Sequence, residues 1–143
     1  MTSRVAEDSG PTSDRPLHWG LWAAQVVLAL LYFGAGLAKL MQPMEALSAM
    51  GMGFVDNFPE FIVRLIGLAE VLGAAGLILP AATRIKPYLT PLAALGLALL
   101  QVGAMITHVV RGEYPNLIVN LVLLALALFI YWGRSQRVPI APR

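Results

Sequence analysis

Four long apolar stretches, each close to the thickness of a lipid bilayer, dominate the chain and limit what it can become. They run from Leu17 to Leu40, Phe61 to Leu79, Tyr88 to Val110 and Pro115 to Trp132. A helix that crosses a membrane needs about 20 mostly apolar residues, each rising about 1.5 Å. Helix breakers fall between the stretches. Pro43 and Pro59 flank the first connection, Pro80 ends the second stretch, Pro87 sits at the start of the third and Pro115 early in the fourth. The pattern predicts an all-α integral membrane bundle of four transmembrane helices.

Composition agrees. Of 143 residues, 58% are hydrophobic and 13% charged, against about 45–50% and about 25% in a soluble domain. This excludes a disordered chain, a nucleic-acid-binding module and an ordinary cytosolic enzyme. The absence of cysteine closes off disulfide relays, thiolate metal sites and thiol redox chemistry. Residues 1–16 read as a polar tail with no signal-peptide pattern. Residues 17–133 read as the helical domain and 134–143 as a short basic tail.

The basic residues set an expected orientation. Arg4, Arg15, Arg84, Lys86, Arg134, Arg137 and Arg143 fall on the side of the termini, whereas Lys39, Arg64 and Arg111 fall on the other. Positive charge stays in the cytoplasm, so both termini are expected there, in the plasma membrane. Trp19, Trp22, Tyr88, Tyr131 and Trp132 cluster at the same ends, as an interfacial aromatic belt would. The connection Met41 to Glu60 is too long for a plain turn. Its MEALSAM segment predicts a short interfacial helix, either a passive connector or a lid.

Polar residues inside apolar stretches carry the functional signal, because ionisable groups in a bilayer usually face the bundle interior. Spacings of three and four place Gln25, Tyr32, Gly36 and Lys39 on one face of the first helix. The same spacing joins Arg64, Gly67 and Glu70 on the second, Gln101 and His108 on the third, and Asn116 and Asn120 on the fourth. Each of these faces carries small residues, as packed membrane helices do. Lys39, Arg64 and His108 fall within about 5 Å of the outer interface, Asn120 at about 8 Å, Glu70 and Gln101 at about 13 Å. Apart from Gln25, the cytoplasmic half reads as Leu, Ala and Val. The expectation is a dead-end pocket open to the outer side, not a channel.

Each residue admits two roles. Glu70 either balances Lys39 or Arg64 or serves as a general acid/base or ligand-binding carboxylate. His108 is either an interfacial, hydrogen-bonded histidine or the catalytic partner of Glu70 or a ligand-binding group. Lys39 either snorkels to the headgroups or grips a ligand. Gln101 and Asn120 either glue helices together or, with Lys39, Arg64 and Tyr32, bind a ligand. No metal site is expected: one usable histidine and one buried carboxylate fall short of a coordination shell, and His18 lies on the opposite side. Paired-histidine haem ligation fails for the same reason. No GxGxxG, P-loop or HExxH motif is present.

Two segments, FGAGLAKLMQP (33–43) and RLIGLAEVLGAAGLILP (64–80), with His108 late in the third stretch and Asn120 in the fourth, resemble the DoxX-like family of small four-helix membrane proteins. The family takes its name from a subunit of a thiosulfate-to-quinone oxidoreductase. The resemblance implies the fold, a membrane location and a loose association with membrane redox or sulfur metabolism, oxidative-stress responses or lipophilic molecules.

Three functions compete. The first is a redox-associated accessory module holding a lipophilic molecule such as a quinone, with electrons passing through a partner subunit. The second is a membrane-embedded isomerase or hydrolase that uses Glu70 and His108. The third is a structural or assembly subunit, homo-oligomeric or bound to others, whose polar cluster fixes helix register. Apart from such a quinone, the sequence points to no cofactor and to no nucleic-acid partner.

Overall fold

The computed structural model describes residues 14–143, so the polar tail read over 1–16 lies largely outside the described residues. Five α-helices follow one another: α1 (Arg15–Met41), α2 (Met44–Ala49), α3 (Glu60–Thr83), α4 (Leu89–Val110) and α5 (Asn116–Trp132). A 3-10 turn (Gly53–Asp56) follows α2, and a π-helical turn (Gly133–Arg137) extends α5. Four of the helices are long and apolar enough to cross a membrane. The chain is a multi-pass integral membrane protein.

The core forms where the expected small and polar faces meet. Leu28, Ala29, Tyr32, Ala74, Leu77, Ala94, Leu97, Ala98, Ala127 and Ile130 are buried together. Large side chains such as Leu30, Leu68, Leu121 and Ile118 point outward, as lipid-facing residues do. A second small core of Leu47, Val55 and Val63 seats α2 and its turn against α3.

The closest approach is between α1 and α3. A Cβ added to Gly36 would lie 2.7 Å from the Gly67 carbonyl oxygen, and one added to Gly67 would lie 2.7 Å from Lys39 Cβ. These two glycines let the backbones touch. Helices α4 and α5 form the other closely packed pair, α3 and α4 pack nearly as closely, and α1 and α5 pack far less closely. The two pairs seal at the end where α1 begins. There Gly76 meets Ala93 and Gly133 meets Leu21, and nearer mid-helix Gly73 meets Leu97.

Pro80 does not end α3, contrary to the sequence reading; the helix continues to Thr83. A proline inside a helix withdraws one N–H from the carbonyl four residues earlier. Here that carbonyl belongs to Gly76, and Thr90 Oγ1 of α4 donates to it at 3.0 Å.

Candidate functional site

The Gly36–Gly67 contact brings Lys39 of α1 beside Glu70 of α3, one turn further along each helix. Lys39 Nζ donates to both carboxylate oxygens, at 3.0 and 2.9 Å. The two side chains are only 8% and 9% exposed. The ammonium also lies 5.9 Å from the centroid of Phe54, in the turn after α2. Glu70 has thus taken Lys39, not Arg64, as its partner.

A second polar chain crosses the bundle beside this pair. Tyr32 Oη donates to Gln101 Oε1 at 2.6 Å, and Gln101 Nε2 donates to Asn120 Oδ1. Three helices are joined by two hydrogen bonds. The chain stops there, because Asn120 Nδ2 is buried and has no partner among the described residues. Buried amide donors are nearly always paired, so an orphan of this kind calls for an explanation.

Toward the α2 end, His108 Nδ1 lies 2.7 Å from Glu113 Oε2, and Arg111 Nε donates to Glu113 Oε1 at 2.8 Å. Arg111 Nη1 also donates to Asn57 Oδ1. This clasp ties the α4–α5 loop to the segment between α2 and α3. Hydrogen bonds from Arg111 and His108 hold the Glu113 carboxyl below its ordinary range. A lowered carboxylate stabilises the fold above its unfolded value, and that contribution is lost as pH falls through the folded value. Hydrogen exchange of residues 51–58 should therefore accelerate only below the ordinary carboxylate range. Glu113→Gln should show the fast rate already at neutral pH, and equal rates in the two proteins would dismiss the clasp.

Together these elements enclose a cavity of about 700 Å³. Tyr32, Lys39, Glu70, Gln101, His108 and Asn120 line it, along with Leu31, Ala35, Val119 and Leu123 on the α1 and α5 walls. Met52, Phe54 and Phe58 of the α2–α3 connection line it as well. The cavity lies between the two helix pairs, in the half where they are not sealed together.

The sequence pattern of the DoxX-like family matches residues 23–130. The chain belongs to the DoxX-like family. No match was found among curated proteins or among solved structures.

In this DoxX-like protein, one residue read as part of the site does other work. Arg64 does not line the cavity. Its Nη1 donates to the carbonyls of Lys39 and Gln42, at 2.6 and 2.7 Å, and its Nε and Nη2 meet Glu60 Oε1. The guanidinium satisfies carbonyls that the end of α1 leaves open. His108 and Glu70 both line the cavity, but each is already engaged, His108 by Glu113 and Glu70 by Lys39.

The opposite half is less apolar than the sequence implied. Arg134, read as part of the basic tail, is 2% exposed and donates to Gln25 Oε1 at 2.7 Å. Its Nη1 reaches His18 Nδ1 at 3.0 Å and the Val138 carbonyl at 3.1 Å. Gln25 Nε2 in turn donates to the Leu77 carbonyl at 2.6 Å. The only signal for this cluster was the lone Gln25 facing inward. Among the described residues, no group of three or more His, Asp or Glu is placed to hold a metal.

Proposed function

We propose that the cavity binds a lipophilic small molecule, with a quinone as the example its chemistry suits, and that the protein is a redox-associated accessory module. The observation that carries this reading is the Asn120 amide. It is a buried hydrogen-bond donor without a partner among the described residues, on a side chain that lines a cavity of about 700 Å³. Small-molecule sites are concave, mostly apolar spaces of about 300–1,000 Å³ with a few placed polar groups. A quinone carbonyl would accept from Asn120, and the apolar walls would take the rest of the molecule. Mass spectrometry of lipid extracts from the purified protein should find a co-purifying molecule. Asn120→Leu, which keeps the volume and removes the donor, should cut its retention about tenfold or more, equivalent to about 1.4 kcal/mol. Undiminished retention would defeat the assignment.

Orientation belongs to the same reading: both termini in the cytoplasm and the cavity toward the outer side of the plasma membrane. Seven of ten basic residues favour it. With cysteines introduced singly at Ser48 and Ser135, an impermeant thiol reagent on intact cells should label only the first. The reverse pattern would place the cavity at the cytoplasmic face.

One observation favours an acid–base enzyme of isomerase or hydrolase type as a second reading. Glu113 holds His108 Nδ1 at 2.7 Å, as an orienting carboxylate holds a catalytic imidazole. A retained molecule that leaves chemically unchanged, at the same rate from His108→Gln, would exclude it.

A further inference from the structure

Resting on that binding reading, we infer that the seam between α1 and α5 is a side portal through which the cavity takes an uncharged, tailed amphiphile directly from the bilayer. Met52, Phe54 and Phe58 line the cavity where the α2–α3 connection crosses it, and the Arg111 bridge to Asn57 ties that connection to the α4–α5 loop. The far end is sealed, by Gly133 against Leu21 and by Arg134 bound to Gln25. Between these two ends α1 and α5 pack far less closely than α1 with α3 or α4 with α5. Beside the polar lining groups, Leu31 and Ala35 of α1 and Val119 and Leu123 of α5 give this seam an apolar stretch of cavity wall. Leu31 and Val119 are also 53% and 62% exposed on the outer surface. One set of side chains thus faces both cavity and lipid, and a hydrocarbon tail lying between them exchanges one apolar environment for another at little cost.

The polar wall fixes the charge of the head. Both Glu70 oxygens are bound to Lys39, so this pair offers no net charge to a ligand. Tyr32 Oη and Gln101 Nε2 are spent within the chain that ends at Asn120. Among the fully buried side-chain polar atoms of the described residues, only the Asn120 amide N–H is left without a partner, and its match is a neutral carbonyl-type acceptor. A carboxylate or an ammonium would be buried without a counter-charge, which is costly.

The test uses the full chain in nanodiscs and a benzoquinone carrying a ten-carbon alkyl tail, with decanoic acid and decylamine as charged comparators. Wild type should take up the benzoquinone at least tenfold more than either comparator. Ala35→Trp should slow uptake at least tenfold, and Ile118→Trp, on the lipid-facing side of α5, should not. Because the chain has no cysteine, Val119→Cys can also be blocked after folding with a pyrene maleimide, which should give the same slowing without a folding variant. Uptake by wild type that neither Ala35→Trp nor the blocked Val119→Cys slows would overturn the portal and leave the binding reading standing. So would slowing by Gly103→Trp alone, on the wall away from the seam. Equal uptake of decanoic acid would overturn the uncharged head. No uptake of any compound by wild type would bring down the binding reading and the portal with it.

Discussion

Glu70→Gln should destabilise the protein by about 3–5 kcal/mol, the cost of leaving a buried cation without its partner. Glutamine keeps the volume of the side chain and some hydrogen bonding, so the change isolates the charge. Lys39 Nζ is held by both Glu70 oxygens and both side chains are almost wholly buried. Among the described residues no other carboxylate bonds to Lys39. Unfolding in a graded mixture of mild and denaturing detergent measures the loss. The double variant Glu70→Gln, Lys39→Met should recover much of it, because the stranded charge is gone. The same preparations separate scaffolding from binding. If the pair only holds α1 to α3, the double variant regains ligand along with stability; if the pair faces the ligand, stability returns and ligand retention does not. Wild-type stability in Glu70→Gln alone would show that the pair is not holding the helices.

Gly67→Val should be nearly as damaging, at about 3 kcal/mol, the upper end of the usual cost of overpacking. The new Cβ would meet Lys39 Cβ at 2.7 Å and the Gly36 carbonyl oxygen at 2.9 Å. One of these is backbone and cannot rotate away, so α1 must move off α3. That movement also lengthens the Lys39–Glu70 pair one turn further on, so the variant loses packing and charge pairing together. Gly34→Val provides the comparison. Nothing lies within 4 Å of a Cβ at Gly34, and the substitution should leave detergent stability within about 0.5 kcal/mol. If both variants unfold at the same point, the close approach of α1 and α3 is not a source of stability.

The inward faces were legible because spacings of three and four on four helices carried polar groups beside small ones. Lys39, Glu70, Gln101 and Asn120 followed from that geometry, and so did the helical class. Arg64 shares the face of Glu70, but it sits at a helix end. A long guanidinium there finds the open carbonyls of a neighbouring helix before it finds a pocket. Glu113 lay outside every periodic segment, in a loop whose path no pattern fixes. Arg134 follows Trp132 closely and has two further arginines behind it, which is how a solvated tail reads. Its burial depends on Gln25, 109 residues away, a contact that no local spacing could reveal.

The proline within α3 bears on how the bundle is put together. No water in a hydrocarbon layer can satisfy a carbonyl, so a helix inserted alone with one bond missing carries that deficit until another segment supplies a donor. The Gly76 carbonyl receives its donor only when Thr90 arrives on the next helix, 14 residues later in the chain. As nascent segments leave the insertion machinery, α3 is therefore incomplete until α4 lies beside it. The two form one assembly step, and a chain halted between them would remain a substrate for membrane quality control.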